Sequence, residues 1–299
     1  MRVLAFAKVN FFLEILGPRP DGYHELVTVF QNVGLADEIE FEPADRGISL
    51  EIISGKGLEG KGNLILRAAR KLQKHTGGDK QGASIRLTKK IPVGAGLGGG
   101  SADAAATLVA LNRLWQRGLS DEELQQIGSE IGSDVAFFIR GGAALGEGRG
   151  ERLTPLGEGP VGYAVIVRPP FSISTGEAYK AYRKRGDWGS AKDPVRMVEA
   201  VRKKNLKLIG GELFNRFENV LCEEYPVLAA IRQTLAAAGC CGAVLSGSGS
   251  CAYGLVEKKE EAEAIAQNLN LRECEVIAVP LVSEGVRFQD VSPTLNRTT

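Results

Sequence analysis

The segment Pro92-Val-Gly-Ala-Gly-Leu-Gly-Gly-Gly-Ser-Ala-Asp-Ala-Ala-Ala106 packs five glycines into the seven positions from Gly94 to Gly100. It follows a strand-like alternation, Ser84-Ile-Arg-Leu-Thr88, and precedes a helical pattern over 101–115. A glycine loop in this setting lets backbone N–H groups close on an anion, and the helix N-terminus adds its partial positive charge. Ser101 is placed to be the N-cap or a phosphate ligand, and the small Ala102, Ala104 and Ala105 leave room for a bulky group. A triphosphate fits this chemistry. Gly94-x-Gly96-x-x-Gly99 matches the dinucleotide-binding string literally, but the element after the helix, 120–131, is another helix and not the strand of a βαβ unit. The lysine of a Walker A loop is absent. A plain surface loop rarely concentrates glycine so tightly before a well-formed helix.

Other chemistry-bearing residues say less on their own. Lys8 interrupts an apolar strand pattern and, taken alone, reads as a solvated strand-edge lysine. Asp134, between Gly132-Ser133 and an apolar run, reads as a helix N-cap. Tyr23-His24 follows the turn Gly17-Pro-Arg-Pro-Asp-Gly22 and would pass for an exposed loop pair, and Tyr179 for a core tyrosine.

The loop Pro92-x-x-x-Gly96-Leu-Gly-Gly-Gly-Ser101 resembles the ATP loop of the GHMP kinases, the family of galactokinase and the homoserine, mevalonate and phosphomevalonate kinases. Ala7-Lys-Val-Asn-Phe-Phe-Leu13 is similar to that family's first motif and Ser246-Gly-Ser-Gly-Ser250 to its third, in the expected order across nearly the whole chain. Arg19-Pro-Asp-Gly-Tyr-His-Glu-Leu26 and Gly132-Ser-Asp-Val-Ala-Phe-Phe138, followed by Gly141-Gly142, resemble the branch whose acceptor is 4-diphosphocytidyl-2-C-methyl-D-erythritol. Gly62-Asn-Leu-Ile65 is similar to that branch's segment near the adenine. Ala102-Asp103 stands where Ser-Asn is commoner, which puts in doubt a direct side-chain contact there.

The resemblance implies an α+β, two-domain GHMP kinase fold with the active site in the cleft between domains 1–155 and 156–299. It implies Lys8 as catalytic cation and Asp134 as general base. ATP would lie on Pro92, Val93, Gly94, Ala95, Gly96, Leu97, Gly98, Gly99, Gly100, Ser101 and Ala102, with Asn63 near the base. Tyr23 and Tyr179 would sandwich the cytosine and His24 would read its edge, with Asn10 and Thr175 as hydrogen-bonding partners of the acceptor. Mg²⁺ would accompany ATP, with no protein ligand assigned. Two rivals stay open: another GHMP kinase, such as one acting on homoserine or mevalonate, and a catalytically silent nucleotide-binding module. Intact Lys8 and Asp134 argue against the second.

The elements that must position these residues follow from pattern. Strands are predicted over 3–16, 27–42 and 48–53, forming an antiparallel sheet, and helices over 63–75 and 120–131, the latter opened by the capping pattern Ser120-Asp-Glu-Glu123. The second half reads as strands 161–167, 243–246, 251–256 and 275–279 with helices over 174–184, 194–204, 226–238 and 258–269. The tail 284–299 is polar and expected to be partly disordered. In 299 residues, 38 are glycine, against about 7% in ordinary chains, so the excess serves turns and close backbone approaches. With 37 basic and 36 acidic residues there is no electrostatic footprint for nonspecific nucleic-acid or membrane binding. Five cysteines with no C-x-x-C pair, and two histidines, argue against zinc and for small, mostly buried thiols in a reducing compartment. The short apolar run after Met1 and the glycine- and serine-rich stretch 233–256 are neither signal peptide nor membrane span, so a cytoplasmic protein with a small-molecule substrate is expected.

Overall fold

The computed structural model describes residues 1–54, 60, 62–77, 81–186 and 190–289. Two long strands open the chain, β1 (Arg2–Pro18) and β2 (His24–Ala44), paired antiparallel across the turn at residues 19–23. Then come β3 (Ile48–Ser54), α1 (Leu64–Thr76), β4 (Gly82–Thr88), α2 (Gly99–Leu114), α3 (Asp121–Ser129) and α4 (Val135–Arg140). A hairpin, β5 (Ala143–Gly148) and β6 (Arg152–Gly157), closes the first half. The second half holds β7 (Tyr163–Arg168), α5 (Thr175–Arg185), α6 (Val195–Arg202), α7 (Leu206–Glu212), β8 (Phe214–Asn215), α8 (Glu218–Glu224), α9 (Pro226–Ala237), β9 (Ala243–Leu245), β10 (Ala252–Val256), α10 (Lys259–Asn268), β11 (Glu275–Pro280) and β12 (Val286–Gln289).

The first sheet runs β12-β1-β2-β4-β3, with β5 also on β2, β6 on β5 and β8 on β1. Its antiparallel character is as the successive strand-like runs predict, with two exceptions: β3 pairs parallel to β4 across the α1 crossover, and β8 pairs parallel to β1. The second sheet, β11-β7-β10-β9, is antiparallel throughout. Layers of helix cover both sheets, an α+β arrangement. Helix α2 is apolar almost all round and sits inside the first core, with Ala102, Ala104, Ala105 and Ala106 fully buried.

Three differences from the sequence reading have physical causes. Helix α2 begins at Gly99 with Gly98 as its N-cap, two residues earlier than predicted, so Ser101 lies in the first turn and is not the cap. The strand β12 occupies 286–289 and pairs with Arg2–Ala5, so this part of the expected disordered tail is ordered by sheet pairing, while 290–299 lie outside the described residues. Only Cys251 is buried; Cys222, Cys240, Cys241 and Cys274 are half-buried, and all five are free.

Candidate active site

On β1, side chains alternate between two surroundings, as strand geometry requires. Ala7, Val9 and Phe11 enter a core shared with the second sheet, while Lys8 and Asn10 turn to the opposite face and line a cleft of about 850 Å³. A register shift between Asn10 and Phe12 bends the strand just there. Tyr253 of β10, fully buried, donates its hydroxyl to the Asn10 carbonyl at 2.8 Å and ties the second sheet to this strand.

The floor of the cleft is the glycine loop. Gly96 has a φ of +75°, and a Cβ there would meet the Ser246 carbonyl oxygen at 1.9 Å, so only glycine lets the two glycine loops touch. Ser246 Oγ and Lys8 Nζ each donate to the Gly96 carbonyl at 2.9 Å, and the Lys8 N–H donates to Leu97 O at 3.0 Å. Gly98, with a φ of +72°, caps α2 where a Cβ would meet the Phe138 ring at 2.7 Å. The result is a bare backbone surface leading into a helix N-terminus, which suits a polyphosphate. Ser101 and Asn63 line the same cleft; the Asn63 side chain accepts from Ile65 N at 2.8 Å and so also caps α1. Ala102 does not line it: its side chain is in the core and its N–H donates to Gly98 O at 2.9 Å.

Lys8 is 3% exposed and its ammonium is held on three sides. It donates to Asn10 Oδ1 at 2.6 Å and to Gly96 O, and lies 3.9 Å from Asp134 Oδ2. Asn10 passes the chain on by donating to Thr28 Oγ1 at 2.8 Å, and Thr28 donates to Phe12 O at 2.7 Å. Burial pulls the Lys8 ammonium down from its ordinary value, and Asp134 works against that. Asp134 precedes α4 with helical backbone angles and its side chain accepts no capping hydrogen bond. Its carboxylate faces Lys8 and the cleft instead.

At the aromatic end, Tyr23 is 54% exposed, with the Arg149 guanidinium 4.8 Å from its ring centre. The ring stacked on Tyr179 is His24, at 4.5 Å and 20°, not Tyr23, and Phe217 meets Tyr179 edge-on at 5.0 Å. Burial, with Arg183 nearby, lowers the His24 pKa and favours its neutral form. Thr175, the first residue of α5, bonds Ser248 of the second glycine loop at 3.2 Å between hydroxyl oxygens. Arg149, Arg183 and Lys89 also line the cleft and sequence reasoning missed them; Asp103 and Ser248 line it too, within the two motifs already singled out. Arg149 carried one available signal, its place between Gly148 and Gly150 in a turn.

A polyphosphate cradle opposite a buried ammonium and a carboxylate is the equipment of a phosphotransferase. The model of the GHMP kinases N terminal domain matches residues 63–142, and that of the GHMP kinases C terminal matches 197–274. The 4-diphosphocytidyl-2-C-methyl-D-erythritol kinase of Pelotomaculum thermopropionicum is 47% identical over 264 residues, covering 88% of this chain and 91% of that protein. A crystal structure of 4-(cytidine 5'-diphospho)-2C-methyl-D-erythritol kinase superposes with a TM-score of 0.79 at 35% identity, over 94% of this chain and 99% of that one. Homoserine kinase from Cytophaga hutchinsonii shares the fold, with a TM-score of 0.75 at 22% identity over 96% of each chain. The chain belongs to the GHMP kinases, ATP-dependent enzymes that phosphorylate small molecules.

Proposed function

We infer that the chain transfers the γ-phosphoryl group of ATP to the 2-hydroxyl of 4-diphosphocytidyl-2-C-methyl-D-erythritol, giving the 2-phosphate and ADP in the methylerythritol phosphate route to isoprenoid precursors. The observation that carries this reading is the likeness, over most of the chain, to a relative bearing that kinase's name. The aromatic end of the cleft supports it, because Tyr23, His24 and Tyr179 suit a nucleobase. Homoserine and mevalonate kinases share the fold at about one-fifth identity, which speaks only to the fold.

In this reading Asp134 takes the proton of the acceptor hydroxyl. A weak base suffices, because the loose transition state asks for little early deprotonation. Lys8 sets its ammonium 3.9 Å from the Asp134 carboxylate and stabilises charge on the moving phosphoryl group. The loop from Pro92 to Ser101 holds the triphosphate on backbone N–H groups, with Asn63 beside the nucleoside. Mg²⁺, to which no residue is assigned, would supply charge neutralisation on the phosphates when bound with ATP. Tyr23, His24 and Tyr179 receive the cytosine, and Asn10 and Thr175 the polar groups of the acceptor. We assign 1–155, with β12 returning to its sheet, to ATP binding and the rest of 156–299 to the partner unit, and a cytoplasmic setting. An ADP-release assay over a panel of alcohols tests the reading. Turnover confined to the diphosphocytidyl alcohol is expected, and turnover of homoserine or mevalonate in its place overturns it.

A further inference from the structure

Behind the glycine loop, apart from the Lys8–Asp134 pair, one ammonium is held between two carboxylates. Lys89 Nζ donates to Asp103 Oδ2 at 2.7 Å and also to Asp37 Oδ2. The side chains of Lys89, Asp37 and Asp103 are 5%, 0% and 6% exposed. Asp37 is well supplied with donors, since its Oδ1 accepts from the N–H groups of Lys90 and Ile91 at 2.6 and 2.8 Å. Asp103 is not: its Oδ1 is buried with no partner among the described residues, and the residue lines the cleft. Lys89 Nζ lies 2.8 Å from the point a Cβ on Gly99 would occupy, so the cluster sits directly against the start of α2.

With every member ionised, this cluster carries one uncompensated negative charge next to a surface built for a polyanion. The three side chains are almost wholly buried, so the excess charge is weakly screened. A polyphosphate and a surplus carboxylate in that position oppose each other. The neutral form of Asp103 removes the conflict and leaves Lys89 balanced by Asp37. Burial is the leading influence on the Asp103 carboxyl and raises its pKa to about 8; Lys89 opposes the rise and Asp37 adds to it. These are the charged groups acting on Asp103, Asp37 from β2 and Lys89 from the segment after β4. Lys8 on β1 approaches the loop at Gly98, on the cleft side.

We propose that the Asp37–Lys89–Asp103 cluster couples nucleotide binding to proton uptake, Asp103 taking a proton from solvent as the triphosphate settles on the loop. The sign follows from linkage: the protonated form binds nucleotide better, so affinity falls as pH rises through the titration of Asp103. If bound nucleotide raises the Asp103 pKa by about one unit, the dissociation constant rises about tenfold across that titration.

Calorimetry of Mg·ATP binding without acceptor, so that acceptor identity plays no part, tests the coupling. At pH 8.5, in two buffers of different ionisation enthalpy, the apparent heats should differ in the sense of proton uptake by the protein. Between pH 7.5 and 9.5, which covers most of that titration, the Kd should rise about sixfold. Asp103→Asn, which keeps shape and cannot ionise, should show neither the uptake nor the slope, with Asp103→Ser as a second variant should the amide not fold. Zero uptake by the unaltered protein at pH 8.5 overturns the proposal. So does an uptake that persists in Asp103→Asn, since the proton then belongs to another group, Lys8 being the nearest cation of lowered pKa.

Discussion

Lys8 Nζ and Asp134 Oδ2 face each other across 3.9 Å, near enough for charge to act and too far for a direct hydrogen bond. The ammonium is fixed elsewhere, by Asn10 Oδ1 and the Gly96 carbonyl, which in the proposed reading leaves the carboxylate available to the acceptor hydroxyl.

That arrangement predicts a loss confined to the chemical step. Asp134→Asn should lower kcat about 10²–10⁴-fold with small changes in ATP and acceptor affinity. Lys8→Met should also depress kcat, and the double variant should be little worse than the poorer single one, because groups that act together are not additive. Single-turnover kinetics and thermal melts on the same proteins check this. A normal chemical rate in a destabilised Asp134→Asn protein would return Asp134 to a structural role.

At Gly96 even alanine is too large. A Cβ would sit 1.9 Å from the Ser246 carbonyl oxygen, which is backbone and cannot swing aside. Gly96→Ala should therefore push the two glycine loops apart, raise the KM for ATP strongly and disturb the carbonyl that holds Lys8. Unchanged ATP kinetics would remove this loop contact from the nucleotide site.

The aromatic end should separate the two nucleotides. Tyr23→Ala or Tyr179→Ala should cost about 1–3 kcal/mol of acceptor binding, the scale of base–aromatic stacking, with ATP binding unaffected. Because His24 lies on Tyr179, a base bound there as proposed would have to take up or displace that stack. His24→Ala should weaken discrimination between cytidine and uridine analogues. Titrations of both nucleotides into each variant decide the matter, and equal losses for ATP and acceptor would mean these rings only support the fold.

Tyr253→Phe tests the tie between the sheets. The variant leaves the buried Asn10 carbonyl without its donor, at a cost of about 1–3 kcal/mol in stability. Because Asn10 also fixes Lys8, kcat should fall as well. Denaturant melts with parallel assays measure both, and a loss of stability with kcat intact would show that the backbone of Asn10 and its side chain are independent.

Much of the scaffold was legible because it is local. Runs of β-formers marked β1 and β2, alternation marked β4, and the pattern from Ser120 to Glu123 announced the capping box that α3 has. The glycine run located the loop but misplaced the helix start, because Gly98 caps through its left-handed backbone, without the side-chain hydrogen bond that the serine reading assumed. The hairpin β5–β6 went unseen, since Gly146, Gly148 and Gly150 look like loop while their strand order comes from pairing with β2. Likewise Lys89 and Asp103 are ordinary residues until three separate segments bring them together with Asp37. Alone, Lys8 read as a surface lysine; only a family motif marked it, because its burial depends on the loops some ninety and two hundred and forty positions away.

The pairing of Val286–Gln289 with Arg2–Ala5 has a consequence for dissecting the protein. The strand that carries Lys8 is flanked on one edge by residues from the opposite end of the described chain, and the Phe6 N–H donates to Gly285 O at 2.9 Å. A fragment cut after β6 would hold the glycine loop, the lysine and the aspartate, yet expose a raw sheet edge beside them. The first sheet is thus a spatial unit and not a contiguous one. Grafting it, or producing it by itself, calls for a permuted chain in which residues 284–289 are joined ahead of Arg2.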